Sequence, residues 1–600
     1  MKKFILITTL LIVVACCAIF TGATVPQPPE KQVADRLVAQ ADTFSQAIDQ
    51  LLTAVRNRNA DTLQIRKLFL NSRLAYKRFE WAAEYFAPVI TRKVNGPASL
   101  EAEMSGFARL PAGLQVIEGC LYPSFDPSKR NQIIFEAKSL TERAADYKNL
   151  FRKATISSPQ VWEAAKLQVF RVMALGISGF DCQLAENSMQ ESAVSLKSLN
   201  DVLAFPPFAQ DKNSVVIILR AAEAYLEKNT DFDKFNRAEF IITYGDPLSK
   251  AIAYVQQQLG KAPTHTPQLL RQSAASLFVV DVFDKQAFAA YPDDEPTKEK
   301  IAIGKKLFND ASLSGTMTRS CASCHQTKLA YADGLIKNMT LEGTEKLKRN
   351  TPTLLNTAYQ TAFFDDMRES TLESQAKSVI ENKLEMHGSL TDICDKLSQD
   401  STYIKLFAIA YRNNQKSITQ KEVTICIADY VRTLSNLNSR FDDYMQGEKS
   451  AMSQQEIAGF NVFMGKAKCG TCHYMPLFNG ALPPLYNRMD AEIIGVPADG
   501  KGTRLDDDEG RNAITHSSAD DHAFKTPTVR NASHTAPYMH NGVYATLEEV
   551  IDFYDKGGGA GLGLKVPNQT LSTQPLRLSQ TEKNDLIAFI KCLDNQPANY

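Results

Sequence analysis

Cys321-Ala-Ser-Cys324-His325 and Cys469-Gly-Thr-Cys472-His473 are the two stretches on which the reading of this chain turns. Each is C-x-x-C-H, the attachment signature of c-type haem. Two thiols three residues apart reach the two vinyl groups along one haem edge and form thioethers. The histidine that follows then lies under the iron as its proximal ligand. A zinc site would want further paired ligands at comparable spacing, and a redox C-x-x-C needs no histidine after it. With eleven cysteines and eight histidines in 600 residues, about 0.003 such matches are expected by chance. Two in one chain predict two covalently bound haem c groups, held by Cys321, Cys324, His325, Cys469, Cys472 and His473.

Outward from the motifs, 600 residues exceed a single core, which stops growing at roughly 250–300 residues. The basic and acidic totals are equal at 67 each, so no global field draws nucleic acid. Lys2 and Lys3 precede an apolar run from Phe4 to Ala15, the pattern of an export signal and too short for a membrane span of about 20 residues. It ends in Val13-Val14-Ala15-Cys16, which resembles the lipobox of bacterial lipoproteins. A signal peptide over 1–15, a lipid anchor on the membrane and a periplasmic body follow as expectations. Export permits disulfides, and Cys120 with Cys182 is a candidate pair that spacing leaves open.

The front of the chain reads as helix. Val33, Leu37, Phe44, Ile48, Leu51 and Val55 recur at three- and four-residue steps, and Leu68, Ala75, Phe79, Ala82 and Phe86 repeat the pattern up to Pro88. The fold class expected is all-α, an N-terminal helical bundle followed by two c-type cytochrome domains. The boundaries are 24–260 for a bundle of about six to eight helices, 261–295 for a linker that holds one short helix or a docking segment, 296–445 for the first haem domain and 446–600 for the second. All eight histidines lie at or beyond His265, which excludes a histidine-based site in the bundle.

Four further stretches surround the motifs: Ile303-Gly-Lys-Lys-Leu-Phe-Asn-Asp310, Arg349-Asn-Thr-Pro-Thr-Leu-Leu-Asn356, Thr526-Pro-Thr-Val-Arg-Asn531 and Ala536-Pro-Tyr-Met-His-Asn-Gly542. Together they resemble the di-haem cytochrome c peroxidase family, which includes MauG, over residues 296–600. The resemblance implies two haem domains facing each other, with peroxide reduced at the first haem and electrons arriving through the second. It implies Glu385 as the catalytic acid/base. Some members carry a distal histidine between the first motif and the Arg-Asn-Thr-Pro-Thr segment. None stands between His325 and Asn350 here, and His387 is read as structural, so the first haem is expected to be five-coordinate or water-ligated and active without prior half-reduction.

For the second haem, Thr546-Leu-Glu-Glu549 reads as a capping box, with Leu547, Val550, Ile551 and Tyr554 on one inward stripe. The resemblance places the distal ligand at Tyr554, where the peroxidase branch has Met and MauG has Tyr; Met539 is the rival. It also implies a calcium ion on Asn350, Thr535 and Pro537. The family often has a Trp between the haems. Here Phe363-Phe-Asp-Asp-Met-Arg368 stands in its place, the only tryptophans are Trp81 and Trp162, and Phe364 is nearest in register. Gly113-Leu-Gln115-Val-Ile-Glu118 resembles the Gly-x-His-x-x-Glu signature of imelysin-like helical proteins with Gln for His, so no metal site is carried over.

The function expected is a di-haem c-type peroxidase that takes hydrogen peroxide to water, supplied by a small exported c-type cytochrome or cupredoxin, with homodimerisation left open. The alternatives are a MauG-like oxidase of a protein or organic substrate and a non-enzymatic electron carrier.

Overall fold

A computed structural model of the chain describes residues 28–102, 108–203, 213–260, 262, 267–412 and 417–596. The export run 1–15, Cys16 and His265 lie outside the described residues. The fold is all-α in class, and the described strands are two antiparallel pairs of two residues each. Among the described residues no helix is long and apolar enough to cross a membrane.

The apolar stripe read from the front of the chain is buried. Val33, Leu37, Phe44, Ile48, Leu51 and Val55 have no solvent exposure on helix Pro29–Arg56, which packs against Arg130–Lys153 and Thr62–Lys77. Each such side chain contributes about 1.5–3 kcal/mol. Eleven α-helical segments lie between Pro29 and Leu259 among the described residues, more than the six to eight expected. The reason is fragmentation. Pro88 opens Pro88–Val94 at a position that needs no N–H donor, and the π-turn Ile241–Gly245 splits one longer helix, while that at Val172–Gly176 closes the helix Ser158–Arg171.

The bundle interior holds a closed ion cage. Arg73 donates to both Glu191 oxygens at 2.5 and 2.9 Å, Lys77 reaches Glu80 at 2.5 Å and Asp181 at 2.6 Å, and Arg171 grips both Asp181 oxygens at 2.9 and 3.0 Å. Three buried cations thus face three buried carboxylates. Glu118 of the Gly113 stretch accepts backbone N–H groups from Leu184 and Ala185 at 3.1 and 2.8 Å. Cys120 and Cys182 are both free thiols, so the candidate disulfide is not formed; the Cys120 thiol turns instead to Gln132.

Both haem regions are built on a helix pair crossing at a glycine. Lys298–Phe308 packs on Gln420–Thr433, and a Cβ on Gly304 would lie 1.8 Å from the Cys426 carbonyl oxygen. Gln454–Met464 packs on Gln580–Cys592, where a Cβ on Gly459 would lie 1.9 Å from the Asp585 carbonyl oxygen. Only a residue without a side chain permits either crossing.

One hydrophobic core runs from the bundle into the second haem region, joining Phe44 and Trp162 to Phe441, Phe463 and Phe589, whereas the first haem region has smaller clusters of its own. The described part of 261–295 forms turns and one antiparallel bridge, Leu270 to Phe283. It straps across the second haem region, with Phe283 edge-on to Tyr486 at 5.0 Å and Phe278 to Phe441 at 6.2 Å. Arg237 is the peg at this junction. Fully buried, it donates to the carbonyls of Ile177, Phe235 and Phe232 at 2.9, 3.1 and 2.8 Å, while its own N–H donates to Asn461 Oδ1 at 2.8 Å. Replacing Arg237 by Met orphans those carbonyls at about 1–3 kcal/mol each. A calorimetric scan of that variant should show the bundle and the second haem region melting earlier together; a shift of the bundle alone would contradict the shared core.

Candidate haem sites

The first motif forms the short helix Cys321–Cys324 behind Ser320, whose hydroxyl and Ser323 close a capping box. His325 Nδ1–H donates to the Tyr331 carbonyl at 2.9 Å, which leaves the Nε2 lone pair for a metal. The second motif repeats the device: His473 Nδ1–H donates to the Pro527 carbonyl at 3.0 Å. Burial lowers both imidazoles, His473 to about 4, so both are neutral and fit to ligate at physiological pH. All four motif thiols are free. Leu335, Ile336 and Leu384 are left 48, 57 and 56 % exposed on segments adjoining the first motif, an apolar surface that an iron porphyrin would cover. The donor set and its surroundings fit haem c at both places.

Glu385 lies in the turn that follows helix Leu372–Glu381. Asn382 Nδ2 donates to its Oε1 at 2.6 Å. Arg319, two residues ahead of Cys321, donates to the Glu385 carbonyl at 3.2 Å and to that of Thr340 at 3.0 Å. Burial raises the Glu385 carboxyl above its ordinary range against the pull of Arg368 and Arg319. Burial, with Asp333 and Glu385 beside it, likewise pushes the Cys324 thiol up, so the carboxyl and the attachment motif share one electrostatic neighbourhood. His387 is exposed on the same turn. Arg319 and Asn382 carried no signal in the sequence, since neither belongs to a recognised spacing.

The capping box at Thr546 is present and opens helix Leu547–Asp555. Tyr554 is half-buried near its end; burial, then Cys472 and Cys469, hold its phenol above the usual range, which locates it beside the second motif. Met539 sits with left-handed backbone (φ +72°) in the turn between Tyr538 and Tyr544.

The quoted stretches are the joints between the two haem regions. Arg349 reaches Asp508 at 2.8 and 3.0 Å and Asp366 at 2.6 Å. Burial alone would raise Asp508, but the Arg349 guanidinium holds it well below the usual carboxylate range. Asn350 receives no such charge. Its N–H donates to the His540 carbonyl at 2.7 Å, three residues past Pro537, and its side-chain amide donates to the Leu335 and Ile336 carbonyls at 2.7 and 3.3 Å. Phe364 has the Arg368 guanidinium 3.5 Å from its ring centroid, and the next carbonyl, of Asp365, accepts the Lys525 N–H at 2.7 Å. Arg530, fully buried, grips Asp442 at 2.8 and 2.7 Å and the Pro476 carbonyl at 2.9 Å, tying the second attachment loop to helix Arg440–Met445.

The sequence profile described as "Di-haem cytochrome c peroxidase" matches residues 298–450. The methylamine utilization protein MauG of Methylorubrum extorquens is 34% identical over 349 residues, 58% of this chain and 92% of that protein. The cytochrome c551 peroxidase of Pseudomonas aeruginosa is 30% identical over 337 residues, 56% of this chain and 89% of that protein. A crystal structure of a MauG-like protein associated with microbial copper homeostasis aligns with 29% identity and a TM-score of 0.44, over 51% of this chain and 91% of that one. The chain belongs to the di-haem cytochrome c peroxidase family. It is an oxidoreductase that uses peroxide and carries two covalently bound haem c groups. Replacing Cys469 and Cys472 together by Ser should halve the haem per polypeptide in a pyridine haemochrome assay, with the first site still loaded.

Proposed function

We propose that the chain reduces hydrogen peroxide to water at the His325 site and draws the electrons through the His473 site, with Glu385 as acid and base. The observation that carries this is the half-buried Glu385 carboxyl, oriented by Asn382 and backed by Arg319 in the neighbourhood of Cys324. The haems supply, when bound, the place where the oxidant sits and the electrons it consumes. The chain's own part is proton traffic. Glu385 takes a proton from one peroxide oxygen and returns it to the other as the O–O bond breaks, so that peroxide, two electrons and two protons give two waters.

In this reading 24–260 is a helical bundle, 261–295 its strap, 296–445 the peroxidatic haem domain and 446–600 the electron-transfer haem domain. A small exported c-type cytochrome or cupredoxin is the donor. The body is periplasmic, tethered by a lipid on Cys16, and a calcium ion bound by Asn350, Thr535 and Pro537 stiffens the joint between the haem domains. Tyr554 would be the second protein residue holding the iron of the second haem, beside His473. That choice favours the ferric state and supports a second reading, a MauG-like oxidation of a protein or organic substrate. Peroxide turnover with reduced cytochrome c, set against turnover without it, separates the two.

Glu385→Gln should keep both haems and lose about 10²–10⁴-fold in peroxide turnover; full activity would remove Glu385 from the mechanism. The carboxylate, not the acid, accepts the first proton, and burial raises this group's pKa. The peroxide kcat/KM should therefore fall as pH drops through a value above the ordinary glutamate of about 4.3, and the Gln variant should lack that limb. Tyr554→Phe should alter the optical spectrum of the second haem, while an unmoved spectrum points to Met539 or another ligand.

A further inference from the structure

The helical bundle meets the second haem region at a particular place. Thioethers to Cys469 and Cys472 fix one edge of the haem against that motif, so whatever packs on the residues flanking it covers that edge. Three parts of the bundle do so. The π-turn Val172–Gly176 lies against Cys469–Thr471. Its Ala174 and Leu175, both without solvent exposure, form a buried cluster with Tyr474, the residue after His473. Phe180 closes on the same tyrosine, ring edge to face at 5.6 Å and 75°. On the other flank, Lys468 immediately before Cys469 donates to the Gln183 carbonyl at 2.7 Å and faces Glu186 at 3.7 Å. The Tyr474 hydroxyl is held by Asp490 at 2.8 Å, which fixes the ring that Phe180 meets. One bundle segment, from the π-turn to Gln183, therefore clasps the attachment motif from both sides.

We propose that the bundle is an in-cis cap on the attachment edge of the second haem: Leu175 and Phe180 exclude water there, lower that haem's reduction potential and keep redox partners from touching that edge. Water beside a haem stabilises the form with the greater net charge; with the tyrosinate ligand proposed above the ferric centre is neutral and the ferrous one anionic, so an apolar cover shifts the balance toward the ferric form. A partner protein then meets the bundle surface rather than the motif itself. This rests on the assignment of the second haem to Cys469, Cys472 and His473, and it gives the bundle a task in the electron path without any redox group of its own.

The test uses the full chain loaded with haem. Phe180→Ala opens the cap, Leu175→Ala thins it without changing any charge, and Phe180→Leu keeps it apolar. Spectroelectrochemistry reads the potential of each haem, and stopped flow reads the rate at which hexaammineruthenium(II), a small hydrophilic reductant, reduces the second. Both Ala variants should raise the potential of the second haem alone and speed its reduction several-fold, with Phe180→Leu close to the parent. Two attached haems with potential and rate unmoved in whichever Ala variant folds would overturn the cap. A parent chain carrying one haem per polypeptide would instead overturn the assignment beneath it.

Discussion

An imidazole offers a lone pair to a metal only while its other nitrogen keeps the proton, and a carbonyl that accepts that proton sets the direction of the ring. Tyr331 and Pro527 do this for His325 and His473, and much of the surrounding structure serves to place those two carbonyls. Tyr331 packs among Phe308, Leu355 and Tyr430, beneath the helix pair that crosses at Gly304. Pro527 stands in the stretch anchored by Arg530 to Asp442 and to the Pro476 carbonyl. The two sites are thus alike in their logic, although Tyr359, Ala362 and Met367 of the first haem region pack in the same core as the second.

What couples them is charge across the joint. Arg349 is shared between Asp366 on its own side and Asp508 on the other, and a guanidinium that makes two fixed carboxylate contacts leaves little freedom for one region to slide on the other. The loop with Phe364 is held in that same joint by Arg368 and by the Lys525 backbone. An aromatic side chain therefore does stand in this joint, although no tryptophan does.

The attachment motifs, the capping box at Thr546 and the buried stripe of Pro29–Arg56 were legible because each is encoded within a few residues of itself. The support of Glu385 was half legible. Asn382 lies three residues away, but Arg319 lies 66 positions off, and Asp508 lies 159 positions from Arg349. No periodicity links such pairs. The number of helices was underestimated because a π-turn such as Ile241–Gly245 leaves no mark in an apolar pattern and because Pro88 starts a helix as readily as it stops one. The Pro- and Thr-marked break near 261–267 reads as a divider, whereas the apolar core passes across it.

Gly465 faces Arg237 so closely that a Cβ there would sit 2.5 Å from the guanidinium nitrogen, and Asn461, one helical turn earlier, receives the Arg237 backbone. The peg and its notch lie 224 positions apart in the chain yet are shaped only for each other. Transplanting this bundle onto another peroxidase half would require a glycine and an amide at those two spots before the join could close. The two halves are therefore matched parts rather than interchangeable modules, and chimeras should be cut elsewhere than at their seam.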